Sequence, residues 1–216
     1  DLDVTQPVVL SSFQTDNASG LAIAGNLLYL ADAATGLMIL DLEDPANPEL
    51  VSTYHVDGAV DVAVAEEYAY LASSAEGLMI FDVKSPSLPV FYDVAKIEGL
   101  RAVAVKGTKV FAGGEKGFNL LDAFTRGESY EIASVQTDGK AYEVSLGNSA
   151  DGNIYAYVAD RAGGLKIFDV TAPDTLRSSS LLAHIETEYC REVLAVGDYA
   201  YIADGPGGLL IADLTP

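Results

Sequence analysis

Short apolar runs recur along this chain about every forty-three positions, and each is apolar on successive residues rather than alternate ones. The runs are Gly36-Leu37-Met38-Ile39-Leu40-Asp41, Gly77-Leu78-Met79-Ile80-Phe81-Asp82, Gly117-Phe118-Asn119-Leu120-Leu121-Asp122, Gly164-Leu165-Lys166-Ile167-Phe168-Asp169 and Gly208-Leu209-Leu210-Ile211-Ala212-Asp213. From glycine to glycine the steps are 41, 40, 47 and 44 residues, the spacing of a repeat architecture. Each run is preceded by a strand rich in tyrosine and small apolar residues, such as Tyr68-Ala69-Tyr70-Leu71-Ala72. A third strand comes before that, as in Asp61-Val62-Ala63-Val64. After the Asp-ending run, a loop marked by prolines (Pro45 and Pro48, Pro86 and Pro89) leads to a fourth, such as Leu50-Val51-Ser52-Thr53-Tyr54.

Four short strands per repeat, separated by Gly, Pro, Asn and Asp turns, make the unit of a propeller blade. Strands apolar on both sides need cover on both faces, which neighbouring blades supply and a two-layer sandwich does not. The sequence therefore predicts an all-β fold, a five-bladed β-propeller with four antiparallel strands per blade, occupying residues 1–216 as one domain. The last repeat stops after its third strand at Asp213-Leu214-Thr215-Pro216, while Pro7-Val8-Val9-Leu10-Ser11-Ser12-Phe13 aligns with the fourth strand Pro48 to Tyr54. The expectation is that the N-terminal strand completes the last blade and closes the ring without an exposed edge.

The strand Leu37-Met38-Ile39-Leu40-Asp41, followed by Leu42-Glu43-Asp44-Pro45-Ala46-Asn47-Pro48, resembles the LVIVD repeat family. The likeness recurs over nearly the whole chain. Repeat three departs from it after Asp122, where Ala123-Phe124-Thr125-Arg126-Gly127 has no proline, and repeat four inserts Gly147 to Asn153 at an inner hairpin. The resemblance implies a propeller of bacterial or archaeal surface or secreted proteins, hence an extracellular location, and implies no reaction.

Twelve Lys and Arg against 32 Asp and Glu leave a net charge of −20. That excludes nucleic acid as a default partner, since phosphate contacts need clustered cations, and it disfavours an anionic lipid surface. No apolar run approaches the ~20 residues of a membrane helix, so no direct membrane insertion is expected. No signal peptide opens the chain, so an exported protein would be represented here in mature or trimmed form. Cys190 is the single cysteine, which precludes an internal disulfide and favours a small packed residue over a nucleophile.

Three residue sets carry candidate chemistry. The recurrent Asp41, Asp82, Asp122, Asp169 and Asp213 stand where a strand meets a turn and are read as structural acceptors for turn N–H groups rather than metal ligands. Aligning the first strands brings Asp61, Glu143 and Glu192 to one position near the channel mouth, where paired carboxylates could serve glycoside hydrolysis. One residue earlier the same alignment gives Ser19, Val60, Arg101, Tyr142 and Arg191, with Arg161 in a loop at the same end and Tyr189 beside Arg191. Three of the five arginines thus gather at one mouth of an acidic molecule and suit a carboxylate or other anion. The plainer alternative is that they neutralise Asp61, Glu143 and Glu192 within the ring. His55 and His184 fall on different blades, so no metal or other cofactor is expected, and no nucleophile elbow or phosphate-binding loop occurs. The function expected is a non-enzymatic extracellular binding or scaffold module. It would recognise a protein or an anionic or saccharide ligand at one face, as a monomer or as a module of a longer surface protein. The alternative is a glycoside-active enzyme.

Overall fold

The computed structural model describes residues 8–123, 130–148, 152–172 and 180–215. Its strands fall into five antiparallel sheets, each a meander in chain order. The first holds β1 (Ala18–Ala24), β2 (Leu27–Asp32), β3 (Gly36–Asp41) and β4 (Glu49–Tyr54). The second holds β5 (Ala59–Ala65), β6 (Tyr68–Ser73), β7 (Gly77–Asp82) and β8 (Val90–Ala95). β9 (Leu100–Lys106), β10 (Lys109–Gly114), β11 (Gly117–Asp122) and β12 (Tyr130–Val135) form the third. β13 (Glu143–Asn148), β14 (Ile154–Ala159), β15 (Leu165–Asp169) and β16 (Leu181–Ile185) form the fourth, and β17 (Glu192–Val196), β18 (Tyr199–Ala203) and β19 (Leu209–Asp213) the fifth.

The cores lie between the blades, as the doubly apolar strands require. Tyr29, Ala31, Leu37 and Ile39 of the first blade are buried against Val62, Ala69, Leu71 and Phe81 of the second. Tyr70, Leu78 and Ile80 pack on Val103, Val110 and Leu121 of the third. Phe111 and Phe118 meet Val144, Val158 and Phe168 of the fourth, and Tyr157, Leu165 and Ile167 meet Val193, Ala200 and Ile202 of the fifth. Each four-stranded blade also carries an irregularity between its third and fourth strands at one repeat position, at Ile39/Leu40, Ile80/Phe81, Leu120/Leu121 and Ile167/Phe168. Such bulges sharpen the twist of the outer strand.

At the start of the third strand, Gly77 has φ +95, and a Cβ there would collide with the Ala95 carbonyl oxygen at the end of β8. Glycine is needed because the outer strand passes so close. The equivalent Gly208 has φ +78, but nothing lies within 4 Å of the Cβ position. Among the described residues the closing strand expected from the N-terminus is not formed. Residues 8–15 carry no strand, Val8, Val9 and Leu10 are exposed, and the fifth sheet has three strands. Among the described residues no buried cluster joins the fifth blade to the first, and the segment 8–15 forms no strand there. It lies instead against the first blade, where the Ser11 hydroxyl donates to the Pro45 carbonyl at 2.7 Å.

Candidate functional site

The loops joining second to third strands share one end of the blades with the entries to the first strands. Asp32, Ser73, Asp160 and Asp204 end or follow the second strands there and are buried. Asp32 accepts from the N–H groups of Asn17, Ala34 and Thr35, at 2.6, 3.0 and 2.8 Å. Burial pushes its carboxyl up, but the Asn17, Thr35 and Ala34 hydrogen bonds outweigh that and leave it below the usual range. Asp160 accepts from the Gly139 N–H and Thr137 hydroxyl, and Asp204 from the N–H groups of Glu188 and Tyr189. Each polar side chain thereby pins the loop that enters its own blade, Ser73 doing so by donating to the Asp57 carbonyl. The signal was present in the sequence as Ala31-Asp32, Ala72-Ser73, Ala159-Asp160 and Ala203-Asp204, a second repeat position that the sequence reading passed over.

On this scaffold the mouth residues come together as one continuous stack. The Arg101 guanidinium lies 4.9 Å from the Tyr142 ring centroid, and that of Arg161 lies 3.4 Å from the same ring. Arg161 is also 5.1 Å from the Tyr189 ring, and Arg191 lies 5.3 Å from it. Each distance is within cation–π range. Blades three, four and five thus contribute the alternating series Arg101, Tyr142, Arg161, Tyr189, Arg191. Two structural details hold Arg161 in the middle. Its backbone exchanges both hydrogen bonds with Cys190 at 3.0 Å, and its φ of +48 is a left-handed conformation that a non-glycine residue adopts at a cost.

The arginines do not neutralise the channel acids. Arg101 pairs with Glu115 at 3.2 Å, and Lys140 binds the same oxygen at 2.9 Å. Lys140, then Arg101, hold the Glu115 carboxyl below its usual range. Among the described residues Arg161 and Arg191 form no ion pair, and the Nε atoms of Arg101 and Arg161 are buried without a hydrogen-bond partner. Deeper in the channel Asp61 accepts from the N–H of Val62 at 2.8 Å and, across the blade boundary, from that of Val103 at 2.9 Å. Burial pushes its carboxyl up to about 6 despite those bonds. Burial, with Asp61 and Glu192 as like-charged neighbours, pushes Glu143 up to about 7.

The recurrent aspartates stand at the far end of the blades from this stack. Asp41, Asp82, Asp169 and Asp213 each accept from the N–H two residues on, at 2.7 to 3.0 Å. Asp122 is buried and binds Lys109 Nζ at 2.7 Å. The proline-free loop after Ala123 lies largely outside the described residues. Cys190 is fully buried, and burial, then Asp204, push its thiol up to about 12. Two hollows, of about 430 and 380 Å³, are lined by none of the stacked residues.

A family model described as the LVIVD repeat matches residues 16–56, 58–93, 138–179 and 189–214, leaving out the whole third blade, whose sequence lacks the proline loop. No curated protein matches the chain. Among solved structures, a protein from Lactobacillus plantarum is 14% identical with a TM-score of 0.74, over 93% of this chain and 71% of that one. BamB from Moraxella catarrhalis is 17% identical with a TM-score of 0.65, over 94% and 59%. The computationally designed Ika8 protein is 11% identical with a TM-score of 0.64, over 91% and 58%, so this chain spans less than two thirds of the Ika8 and BamB chains. These likenesses are to β-propellers and concern the fold. With four of its five blades matched by the repeat model, the chain belongs to the LVIVD repeat family.

Proposed function

We propose that this chain is a non-enzymatic recognition module of the cell exterior. It holds an anionic group, a carboxylate of a protein or of an acidic saccharide, on the Arg–Tyr stack at one end of the blades. The observation that carries this reading is the condition of Arg161 and Arg191. In a molecule of net charge −20 they stand beside a crowded set of acids, yet they rest on tyrosine faces rather than on carboxylates. Tyrosine keeps a guanidinium in place without occupying its N–H fork, which stays available for a planar anion. The exterior location rests on the surface and secreted proteins that the repeat resemblance implies. Screening acidic peptides and acidic oligosaccharides, then comparing Arg161→Ala and Arg191→Ala, tests the site. Each change should weaken binding by about ten- to a hundredfold, as expected for a charged hydrogen-bonded contact. Unchanged affinity in both variants would place recognition elsewhere.

Glu143 favours a second reading. A carboxyl titrating near 7 is suited to a general acid, and Glu192 lies near enough to shift it, which is the pattern of a glycoside-active enzyme. Asp61 fits that chemistry less well, since its two oxygens are engaged by Val62 and Val103. Turnover of chromogenic glycosides that vanishes in folded Glu143→Gln and Glu192→Gln variants would establish this reading over the first.

A further inference from the structure

Two residues after the glycine of each third strand, the repeat places Met38, Met79, Asn119, Lys166 and Leu210. Met79 packs against the core shared by the first and second blades. Lys166, 4% exposed, is held by the Asp138 carboxylate at 3.0 Å and the Gly163 carbonyl at 3.1 Å. Asn119, 7% exposed, has no comparable support. Its Nδ2 reaches only the Ala112 carbonyl oxygen, at 3.5 Å, and among the described residues its Oδ1 accepts no hydrogen bond. A side-chain amide can make four such bonds, and burying one with most of them unmet is costly. A polar group kept in that condition points to a partner from outside the chain.

Asn119 lines a hollow of about 380 Å³ between the second and third blades. Repeat equivalence explains why it opens at this boundary. Between the first and second blades, the Phe81 ring lies 4.7 Å from that of Tyr54 and 6.1 Å from that of Phe91, with Met79 packed on the same core. By strand register the equivalents one blade on are Leu121, Ala95, Glu131 and Asn119, and Val94 gives way to Ser134. Each replacement is smaller or polar. The apolar filling of the repeat is thus exchanged for Asn119, Glu131 and Ser134, which line the hollow together with Gln136, while Ile97 adds an apolar surface.

The charges at the hollow select the ligand. Lys96 already holds Glu76, and Lys116 holds Glu98, both at 2.6 Å, so neither ammonium is free for an anion, and Glu131 repels one. What remains is a set of planar acceptors and donors. Glu131 and the Asn119 Oδ1 can accept, and the Ser134 hydroxyl and the two amide groups can donate. Adjacent hydroxyls on a sugar ring, each both donor and acceptor, match such a set. Small-molecule sites span about 300–1,000 Å³, and a hollow at the small end of that range fits one ring. We propose that this hollow is a saccharide site, separate from the Arg–Tyr stack, that takes a single neutral sugar unit. It does not depend on what the stack binds.

Titrating glucose, galactose, mannose and N-acetylglucosamine into the 216-residue chain, followed by amide chemical shifts, tests this. At least one sugar should bind in the millimolar range or tighter and shift the amides of Asn119, Ser134 and Gln136. Glucuronate, a ring of the same size carrying a carboxylate, should bind about tenfold more weakly than the best of them. Asn119→Met restores the second blade's residue and should abolish binding by filling the hollow. Ser134→Ala and Glu131→Gln change exposed side chains, and each should weaken binding about three- to tenfold, the worth of one hydrogen bond. Should Asn119→Met fail to fold, these two variants decide the matter. Absence of binding by all four sugars overturns the proposal, as do shifts confined to residues of the Arg–Tyr stack. Parent-like affinity in a folded Asn119→Met, or in both of the other variants, overturns it equally. Glucuronate binding as tightly as the best neutral sugar would exclude a neutral ligand.

Discussion

Glu143 shows how a single side chain couples the channel to pH. Its carboxyl titrates near 7 rather than in the ordinary range because it is partly buried and faces Asp61 and Glu192. Between the usual carboxylate range and pH 7 the folded protein binds this proton more tightly than the unfolded chain does, so this group's contribution to stability falls as pH rises through that window. Replacing it with Gln removes the ionisable group while keeping the shape. Glu143→Gln should therefore melt much like the parent at pH 4.5 and above it at pH 8. The shift corresponds to at most about 3 kcal/mol, and residual contact with water reduces the expected gain to about 1 kcal/mol. Equal melting differences at the two pH values would show that Glu143 is better solvated than its surroundings indicate. Asp61 titrates in the same direction, but its hydrogen bonds to Val62 and Val103 give it a structural task that Asn can only partly perform.

At the scale of the element, the unit that matters is the second strand with the loop it pins. Asp204, 2% exposed, ends such a unit and fixes Glu188 and Tyr189 through their N–H groups. Burial pushes its carboxyl up, and hydrogen bonding more than reverses this, so the acid sits below its usual range. A depressed carboxyl contributes stability above the unfolded value, and that contribution is lost as pH falls through the folded one, so this loop keeps its support until the pH drops below the usual carboxylate range. Asp204→Ala leaves buried N–H groups unsatisfied and should cost about 1–3 kcal/mol. It should also weaken anion binding by displacing Tyr189 from between Arg161 and Arg191. A chemical denaturation series checks the first effect and the ligand screen the second. These units were only half legible in the sequence. The Asp-ending third strand stands out because five near-identical hexapeptides repeat it, whereas the acceptor after the second strand varies among Asp, Ser and Gly. The Arg–Tyr stack was legible as a set of unlike residues at one repeat position. That they stack on one another, and that Arg161 takes a left-handed backbone to do so, depends on contacts between blades that strand periodicity does not encode.

At the scale of the whole molecule, repeat spacing and doubly apolar strands are enough to derive five sheets stacked through apolar cores, because each blade meets the same demand for cover on both faces. The relation of the two ends is a different kind of property. It depends on the small rotation accumulated from blade to blade, and no single repeat records that angle. Pro7–Phe13 aligns in sequence with the outer strand Pro48–Tyr54, yet residues 8–15 carry no strand, and the Ser11 to Pro45 bond shows the blade this segment lies against.

Cys190 lies fully buried where the fourth blade meets the fifth, linked through its backbone to Arg161. As the chain's sole thiol, it makes that seam its own stopwatch. A thiol held near pKa 12 and out of solvent reacts only when the seam parts, so the rate of modification by a small disulfide reagent counts openings per unit time. Among the described residues the fifth blade packs on the fourth alone, and sub-global opening should be easiest at that seam. Modification is therefore expected to outpace global unfolding. Modification that keeps step with global unfolding would instead mean that all five blades part as one cooperative unit.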